Sequence, residues 1–339
     1  MGNGKLSRRG FIERTAGTGL AIGVGAIGSS IIGAPYVARA ANRTTVVTAN
    51  LAGGWSNLAN ELLMTGGFDS KHGLKFEPLR TYNRLGTYYA DILRGNFQIG
   101  IGTWDAFANM NLQGAPVGAL GVVSTASLAG FFTTDESIKK IEDLKGKTVS
   151  AMQVSGTFKM AKTWAKEFAG FDLEENATIM NAPNPPATIT MVAAKRADAA
   201  LAWEHALSAG MHQIPGSRVA LNLNDFYREH TGRDQPYFAI GVNTEAEGGM
   251  TADTVKRLND AWTEALNWIM ANPGEFQALG PSVNIDSAVL KTAMESGRMQ
   301  FAMRPMSDDK NREEVQFAAD IMQKHGLLSE KLPPSFYIG

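Results

Sequence analysis

The amino-acid sequence predicts an α/β protein of two lobes, with largely parallel sheets flanked by helices and a helical C-terminal part. Three observations lead to this prediction. Short apolar strands alternate with helices from Thr45 onward, which is typical of parallel sheets. The series helix, turn and strand occurs twice, ending once at Trp104-Asp105 and once at Trp203-Glu204. After Asn243 the apolar spacing becomes helical almost throughout.

The first unit contains four predicted strands, over residues 46–50, 75–79, 97–102 and 117–123. Helices are predicted over residues 58–66, around Tyr88 to Leu93, and through Phe107. The loop after the first strand contains Gly54-Trp55-Ser56. Because glycine-rich loops seldom form cores, we expect Trp55 to face a cleft.

The second unit is organised around residues 142–158, where an acidic turn leads into a strand over 148–152. Ser155-Gly156-Thr157 then opens a helix with Ser155 as its cap. One face of that helix is apolar, at Phe158, Ala161, Trp164, Ala165 and Phe168. The free N–H groups of a helix start, its dipole and a glycine together predict a place that holds a ligand.

Further strands are predicted over residues 177–180 and 199–202, with a helix starting at Asn184-Pro185-Pro186 between them. A strand over 237–242 returns the chain to the first unit, and later helices pack on that unit. We therefore expect one lobe from residues 41–130 and 237–339 and a second lobe from residues 131–236. Hinges near Phe131 and Pro236 would let the two lobes close like a clamshell.

Residues 1–40 have the features of a twin-arginine signal peptide and predict export to the periplasm. Arg8-Arg9 is followed by Phe11, a glycine-diluted apolar stretch comes next, and Ala38-Arg39-Ala40 is a small-x-small cleavage site. The alternative is an uncleaved membrane anchor, which the many glycines disfavour. Without these residues the chain has 27 basic and 32 acidic side chains, a formal charge of −5. That charge disfavours nucleic acid or an anionic membrane as a partner.

The composition excludes several kinds of site. The chain has no cysteine, so thiol nucleophiles, iron–sulfur clusters and cysteine-ligated metals are excluded. Its five histidines form no short ligand pair, and there is no Gly-x-Ser-x-Gly motif. We therefore expect no metal, no cofactor and no catalytic residue.

Three segments resemble the periplasmic solute-binding proteins of ABC importers, in the nitrate/sulfonate/taurine (NitT/TauT) and pyrimidine-precursor group. Residues 138–149 are similar to that group's opening of the second lobe. Residues 93–100 and 193–200 are similar to its two strand entries, with Gln98 in place of the usual Asp and with Asp198 retained. Glu204-His205 stands where the group has Glu-Pro. The resemblance implies the type II binding-protein clamshell, a permease and an ATPase in the inner membrane as partners, and a monomer.

The predicted ligand-binding residues lie at strand ends and helix starts on both lobes. They are Gly54, Trp55, Ser56, Tyr82, Trp104, Asp105, Ser155, Gly156, Thr157, Trp203, Glu204 and Tyr237. Trp104 and Trp203 fit a cleft wall and a core about equally, whereas Trp164 and Trp262 are expected in the core. The alternatives for the acids are that Asp105 caps its helix and that Glu204 pairs with a lysine or arginine across the cleft.

We expect a solute-binding protein that delivers a small polar organic solute, an aminosulfonate, a sulfonate or a nitrogen heterocycle, to an ABC transporter. The tryptophans favour a solute with a flat part, and the two carboxylates favour a group that donates hydrogen bonds or carries positive charge. The alternatives are a receptor for a TRAP-type transporter and an exported enzyme built on the same fold.

Overall fold

The computed structural model describes residues 43–51 and 54–339, and it has the predicted α/β architecture of two sheets flanked by helices. The predicted signal peptide, residues 1–40, lies outside the described residues. Eleven strands are assigned in the part of the chain that the structure describes: β1 Thr44–Leu51, β2 Leu74–Tyr82, β3 Ile99–Thr103, β4 Val117–Val122, β5 Ala129–Thr133, β6 Thr148–Ala151, β7 Thr178–Asn181, β8 Ala199–Trp203, β9 Arg218–Asn222, β10 Phe238–Asn243 and β11 Arg304–Pro305.

The helices alternate with these strands up to β10 and then predominate. The first nine are α1 Trp55–Thr65, α2 Phe68–Lys71, α3 Leu85–Leu93, α4 Trp104–Leu112, α5 Gly156–Ala169, α6 Leu173–Asn176, α7 Pro185–Ala193, α8 Ala206–Gln213 and α9 Leu223–Thr231. The C-terminal part contains α10 Ala252–Ala271, α11 Pro273–Ala278, α12 Ser287–Glu295 and α13 Asp309–Lys324.

Both sheets are largely parallel, as expected. The first has the strand order β11-β4-β10-β3-β1-β2, and only β10 and β11 run against the other four strands. The second has the order β7-β6-β8-β5-β9, with β5 as the single reversed strand. The carboxyl ends of β1, β3, β6 and β8 lead directly or through short loops into α1, α4, α5 and α8. Those strand ends are where ligands bind on open α/β sheets.

The same kind of hydrogen bond, from a strand N–H to the side chain just before a neighbouring strand, occurs in both sheets. It explains why Gln98 can stand where aspartate is usual. Asp198, just before β8, accepts a hydrogen bond at Oδ2 from the N–H of Thr148 at 2.7 Å. Gln98, just before β3, accepts one at Oε1 from the N–H of Val47 at 2.8 Å. The glutamine amide also donates to the carbonyl of Gly249 at 3.0 Å, a contact that a carboxylate cannot make. The substitution therefore keeps the strand contact and adds a donor.

Three chain segments lie side by side where the two sheets meet. The N–H of Ala126 donates to the carbonyl of Gln235 at 3.0 Å, and that of Tyr237 to the carbonyl of Ser124 at 3.1 Å. On the other side, the N–H of Ala302 donates to the carbonyl of Val123 at 3.2 Å. The segment around residue 302 was not anticipated as part of this region. One hinge was predicted near Phe131, which lies within β5, a few residues beyond these contacts. Hinge motion and the lobe boundaries given above remain predictions.

The C-terminal helices pack on both the first and the second unit, and not only on the first unit as the sequence suggested. Helix α10 buries Leu258, Trp262 and Leu266 against α1 and α2, and Trp262 is a core residue as predicted. Helix α12, however, also packs on α8, and α13 also packs on α5. An ion pair between Lys324 Nζ and Glu167 Oε1, at 2.8 Å, holds the end of α13 to α5. Such distant contacts leave no pattern in the local sequence.

Candidate functional site

A small cavity of about 50 Å³ lies between the two sheets' units and is enclosed by residues from both of them. The first unit supplies most of the lining, namely Leu51, Gly54, Trp55, Ser56, Leu85, Tyr89, Ile101, Gly102, Thr103 and Phe238. The second unit supplies Ser155, Gly156, Thr157 and Trp203. We call this space the inner cavity. None of these lining residues carries a charged side chain, and five of them carry hydroxyl groups.

Three helices begin at the inner cavity. Helices α1, α4 and α5 start within one residue of Gly54, Thr103 and Ser155 respectively. The first N–H groups of a helix have no partner within the helix, and the dipole places partial positive charge there. Three such ends around one uncharged cavity favour a group that accepts hydrogen bonds and bears negative charge.

The start of α5 confirms the helix predicted from the sequence. Ser155 Oγ accepts from the N–H of Phe158 at 3.2 Å and donates to the carbonyl of Met152 at 2.7 Å. This capping fixes the loop so that Gly156 reaches the first unit. A Cβ on Gly156 would overlap Asp105 Oδ1 and Thr103 Oγ1. Only glycine therefore allows the two units to approach this closely.

Asp105 lies behind this contact and is fully buried. Neither of its carboxylate oxygens has a hydrogen-bond partner among the described residues, and the same is true of Thr103 Oγ1 beside it. Burial raises the pKa of the Asp105 carboxyl, because removal from water disfavours the charged form. The Thr103 hydroxyl and the N–H groups of Asp105 and Ala106 lie near enough to this carboxyl to lower its pKa in part, but none makes a well-aligned hydrogen bond to it.

Aromatic rings form the walls of the inner cavity. Trp55 packs on Phe301 with ring centroids 4.5 Å apart, and on Phe238 at 5.7 Å in an edge-to-face arrangement. Trp203, half-buried at the end of β8, is the aromatic residue that the second unit contributes to the lining. Such walls offer apolar contact to the body of an organic molecule.

A second and larger cavity, which we call the outer cavity, adjoins the inner one. It has a volume of about 360 Å³. It shares four lining residues with the inner cavity, namely Leu51, Gly54, Leu85 and Trp203. Its other lining residues are Asn83, Met152, Pro183, Asn184, Pro185, Pro186, Glu204, His205 and Ala206.

Comparison with known proteins identifies the family. Residues 66–276, more than half of the chain, match the family model described as NMT1/THI5 like. The chain belongs to the NMT1/THI5-like family. No curated protein sequence is similar enough to the chain to count as a match.

Solved structures show the same fold as this family member. The periplasmic aliphatic sulphonate-binding protein SsuA of Escherichia coli is 16% identical, with a TM-score of 0.69 over 87% of this chain and 92% of that one. The alkanesulfonate-binding protein SsuA of Xanthomonas axonopodis pv. citri, solved with MOPS bound, is 14% identical, with a TM-score of 0.68 over 87% and 98%. An ABC transporter structure from Parabacteroides distasonis is 11% identical, with a TM-score of 0.65 over 87% and 99%.

Seven of the predicted site residues line the inner cavity of this NMT1/THI5-like protein. They are Gly54, Trp55, Ser56, Ser155, Gly156, Thr157 and Trp203. Trp55 does so from the first turn of α1 and not from a loop, because the helix begins three residues earlier than the sequence suggested. Whether these residues bind a solute remains a prediction.

Glu204 lines the outer cavity, but its carboxylate is already occupied. Arg298 Nε donates to Glu204 Oε1 at 2.6 Å, and the N–H and Oγ of Ser208 donate to the two carboxylate oxygens at 3.0 Å each. The Glu204 side chain has no exposed surface, and that of Arg298 is 15% exposed. The alternative considered for Glu204, a pair with a basic residue, is therefore what the structure shows.

The remaining four predicted residues do not line the inner cavity, because each is buried among protein groups. Tyr82 donates its hydroxyl to Asp91 Oδ2 at 2.6 Å. Trp104 is fully buried and donates Nε1–H to the carbonyl of Pro236 at 3.0 Å. Tyr237 places its hydroxyl oxygen 2.5 Å from Thr157 Oγ1. Trp104 and Tyr237 therefore support the cavity from behind, as does Asp105.

Several residues that line the inner cavity were not predicted from the sequence. They are Leu51, Leu85, Tyr89, Ile101, Gly102, Thr103 and Phe238. Thr103 had a usable indication, since it is the polar residue that ends a buried strand and immediately precedes a helix. Tyr89 had none, because its neighbour Tyr88 fits the apolar face of α3 equally well.

Within residues 43–51 and 54–339, no group of three or more His, Cys, Asp or Glu side chains is placed to hold a metal ion. Across the same part of the chain, no helix is both long enough and apolar enough to cross a membrane.

Proposed function

We propose that this NMT1/THI5-like protein is an extracytoplasmic solute-binding protein that delivers a small organic solute with an oxyanion head group to an ABC transporter. The observation that carries the proposal is the inner cavity, where three helix starts surround an uncharged space lined by hydroxyl groups and aromatic rings. Helix starts bind anions without a basic side chain. Aromatic walls then hold the organic part of the solute.

The arrangement accounts for capture as well as recognition. Each unit supplies only part of the lining, so most of the binding energy is gained only when both units touch the solute. Closure about the segments near Val123, Gln235 and Ala302 would trap the solute, and a permease would recognise the closed form. Export to the periplasm by the twin-arginine route, and a monomeric state, belong to the same proposal.

The similarity to sulfonate-binding proteins supports a sulfonate over a bare inorganic anion. Nitrate and sulfate have no apolar surface to place against Trp55 and Trp203. An aminosulfonate or a nitrogen heterocycle remains within the proposal, but Glu204 is not the group that would bind its cationic or N–H part, because Arg298 already neutralises it.

Tryptophan fluorescence tests the proposal directly, because Trp55 and Trp203 line the cavity. The purified protein is titrated with methanesulfonate, propane-1-sulfonate, taurine, sulfate and nitrate. Saturable binding of a sulfonate, with its NMR spectrum unchanged after long incubation, is the expected result. Conversion of the solute to a product would establish the enzyme alternative instead.

Coupling is tested with the partner membrane proteins. The solute-loaded protein should stimulate ATP hydrolysis by a reconstituted permease–ATPase pair. Sodium-dependent uptake without ATP hydrolysis would identify the TRAP-type alternative. Failure of all five compounds to bind at millimolar concentration would refute the proposed head group.

A further inference from the structure

We propose that the solute extends from the inner cavity into the outer cavity, and that the outer cavity selects an uncharged tail that combines apolar surface with a hydrogen-bonding group. This inference rests on the proposed function and specifies the class of solute. It excludes two obvious alternatives, a tail with an ammonium group and a tail with a second anionic group.

The sizes of the two cavities indicate that the solute occupies both. A cavity needs about 10–15 Å³ of volume for each water molecule that it holds. The inner cavity, at about 50 Å³, therefore holds about four waters. That is room for an oxyanion head but not for a whole organic solute. The outer cavity, at about 360 Å³, shares four lining residues with it and offers the remaining space.

Two helices start at the outer cavity, and neither start suits a second anionic group. The start of α8, at Ala206, already holds the Glu204 carboxylate, which accepts a hydrogen bond from the N–H of Ser208 at 3.0 Å. Helix α7 also starts at this cavity, but Pro185 and Pro186 occupy its first two positions and have no N–H. The third N–H, that of Ala187, is bound to Asn184 Oδ1 at 2.9 Å. This helix start differs from that of α5, where Gly156 and Thr157 occupy the first two positions and retain their N–H groups.

An ammonium group has no free carboxylate in the outer cavity. Among the described residues that line it, Glu204 is the single carboxylate, and Arg298 and Ser208 occupy both of its oxygens. His205 is the other titratable residue there. Burial lowers the pKa of His205 to about 4, so its ring is neutral at pH 7 and neither attracts nor repels a charged tail.

The remaining groups fit an uncharged ring or amide. Trp203, Met152 and Pro185 provide apolar walls. His205 lines the outer cavity, and its Nδ1 has no hydrogen-bond partner among the described residues. Since that atom has almost no accessible surface, a turn of the ring toward the cavity would bring it to a donor or acceptor on the tail. A flat tail that carries an amide meets both requirements.

Matched sulfonates test the inference on the full chain by isothermal titration calorimetry. Taurine and propane-1-sulfonate have the same length and differ in an ammonium against a methyl group. We expect propane-1-sulfonate to bind at least about tenfold tighter, because the ammonium is desolvated without a partner. We expect 4-carbamoylbenzenesulfonate to bind about fivefold tighter than benzenesulfonate, and both to bind tighter than methanesulfonate.

A variant links this selectivity to the outer cavity. His205→Phe should bring the two aromatic sulfonates to within about twofold of each other, whereas His230→Phe, on the exposed surface of α9, should preserve their difference. The ligand series on the unaltered protein remains decisive if His205→Phe does not fold.

The outcomes separate this inference from the proposed function. Taurine binding as tightly as propane-1-sulfonate would overturn the uncharged tail. Aromatic sulfonates binding no better than methanesulfonate would overturn the use of the outer cavity. Failure of every sulfonate to bind would overturn the proposed function and this inference with it.

Discussion

Replacing Arg298 with methionine should destabilise the protein strongly, because it leaves Glu204 buried without its counter-charge. The Glu204 side chain has no exposed surface, and Arg298 Nε lies 2.6 Å from Oε1. Removal of one partner of a buried pair costs about 3–5 kcal/mol. Since Ser208 still donates two hydrogen bonds to the carboxylate, we expect a loss of about 3 kcal/mol in the free energy of unfolding.

A double-mutant cycle distinguishes a stranded charge from lost packing. In the double variant Glu204→Gln, Arg298→Met the charge is removed together with its partner, and the loss should shrink to about 1 kcal/mol. Lys291→Met is the matched control on the same chain segment. Its pair with Glu295 is 56% and 62% exposed, so its loss should stay within about 0.5 kcal/mol.

Urea unfolding followed by tryptophan fluorescence and by circular dichroism measures these differences, provided the two transitions coincide. A loss of less than about 1 kcal/mol in Arg298→Met, or a double variant as unstable as the single one, would contradict a stranded charge on Glu204. The first result would mean that water reaches Glu204. The second would mean that the arginine acts through its packing.

Three further predictions concern the contact between the two units. Gly156→Ala would force a Cβ onto Asp105 and should weaken methanesulfonate binding by at least about tenfold in calorimetry. Gly86→Ala, with no atom within 4 Å of the new Cβ, should leave the affinity for methanesulfonate unchanged. Equal affinities of the Gly156→Ala and Gly86→Ala variants would contradict the close contact at Gly156. Tyr237→Phe removes a buried hydroxyl contact with α5 and should lower the free energy of unfolding by about 1 kcal/mol, measured in urea; no loss would show that the contact is not made in solution. Burial raises the pKa of Asp105 above 3.8, so the native state binds its proton more tightly and loses stability as the pH rises from 3.8 through the native pKa. Asp105→Asn should therefore be more stable than the parent protein at pH 7, with the gain disappearing below pH 3.8; a gain that grew in acid would contradict burial as the cause.

Local chemistry explains which parts of the fold could be predicted from the sequence. The helix starts at Ser155 and at Asn184-Pro185 were correct, because a capping side chain or a proline fixes the helix start within a few residues. The position of β10 between β3 and β4 was not predictable in the same way. That position depends on pairing with strands that lie more than a hundred residues earlier in the chain. In the sequence, β10 itself is only a short apolar run.

The parts of the candidate site that the backbone forms could be predicted from the sequence. The parts that depend on side-chain packing could not. Gly54 and Gly156 follow strand ends, and both line the inner cavity. Trp104 and Trp203 occupy equivalent places in a repeated pattern, yet only Trp203 lines it. Trp104 turns inward because its indole N–H bonds to the carbonyl of Pro236, a residue 132 positions away.

The charge of the cleft shows most clearly how distant residues set the chemistry of the site. Two carboxylates at equivalent strand ends suggest a cleft that repels anions. The structure reduces that effect in two different ways. Glu204 is neutralised by Arg298, 94 residues further along the chain. Asp105 is fully buried behind the lining of the inner cavity, and burial raises the pKa of its carboxyl. The three helix starts then supply the field that a solute meets in the inner cavity, and that field attracts an anion.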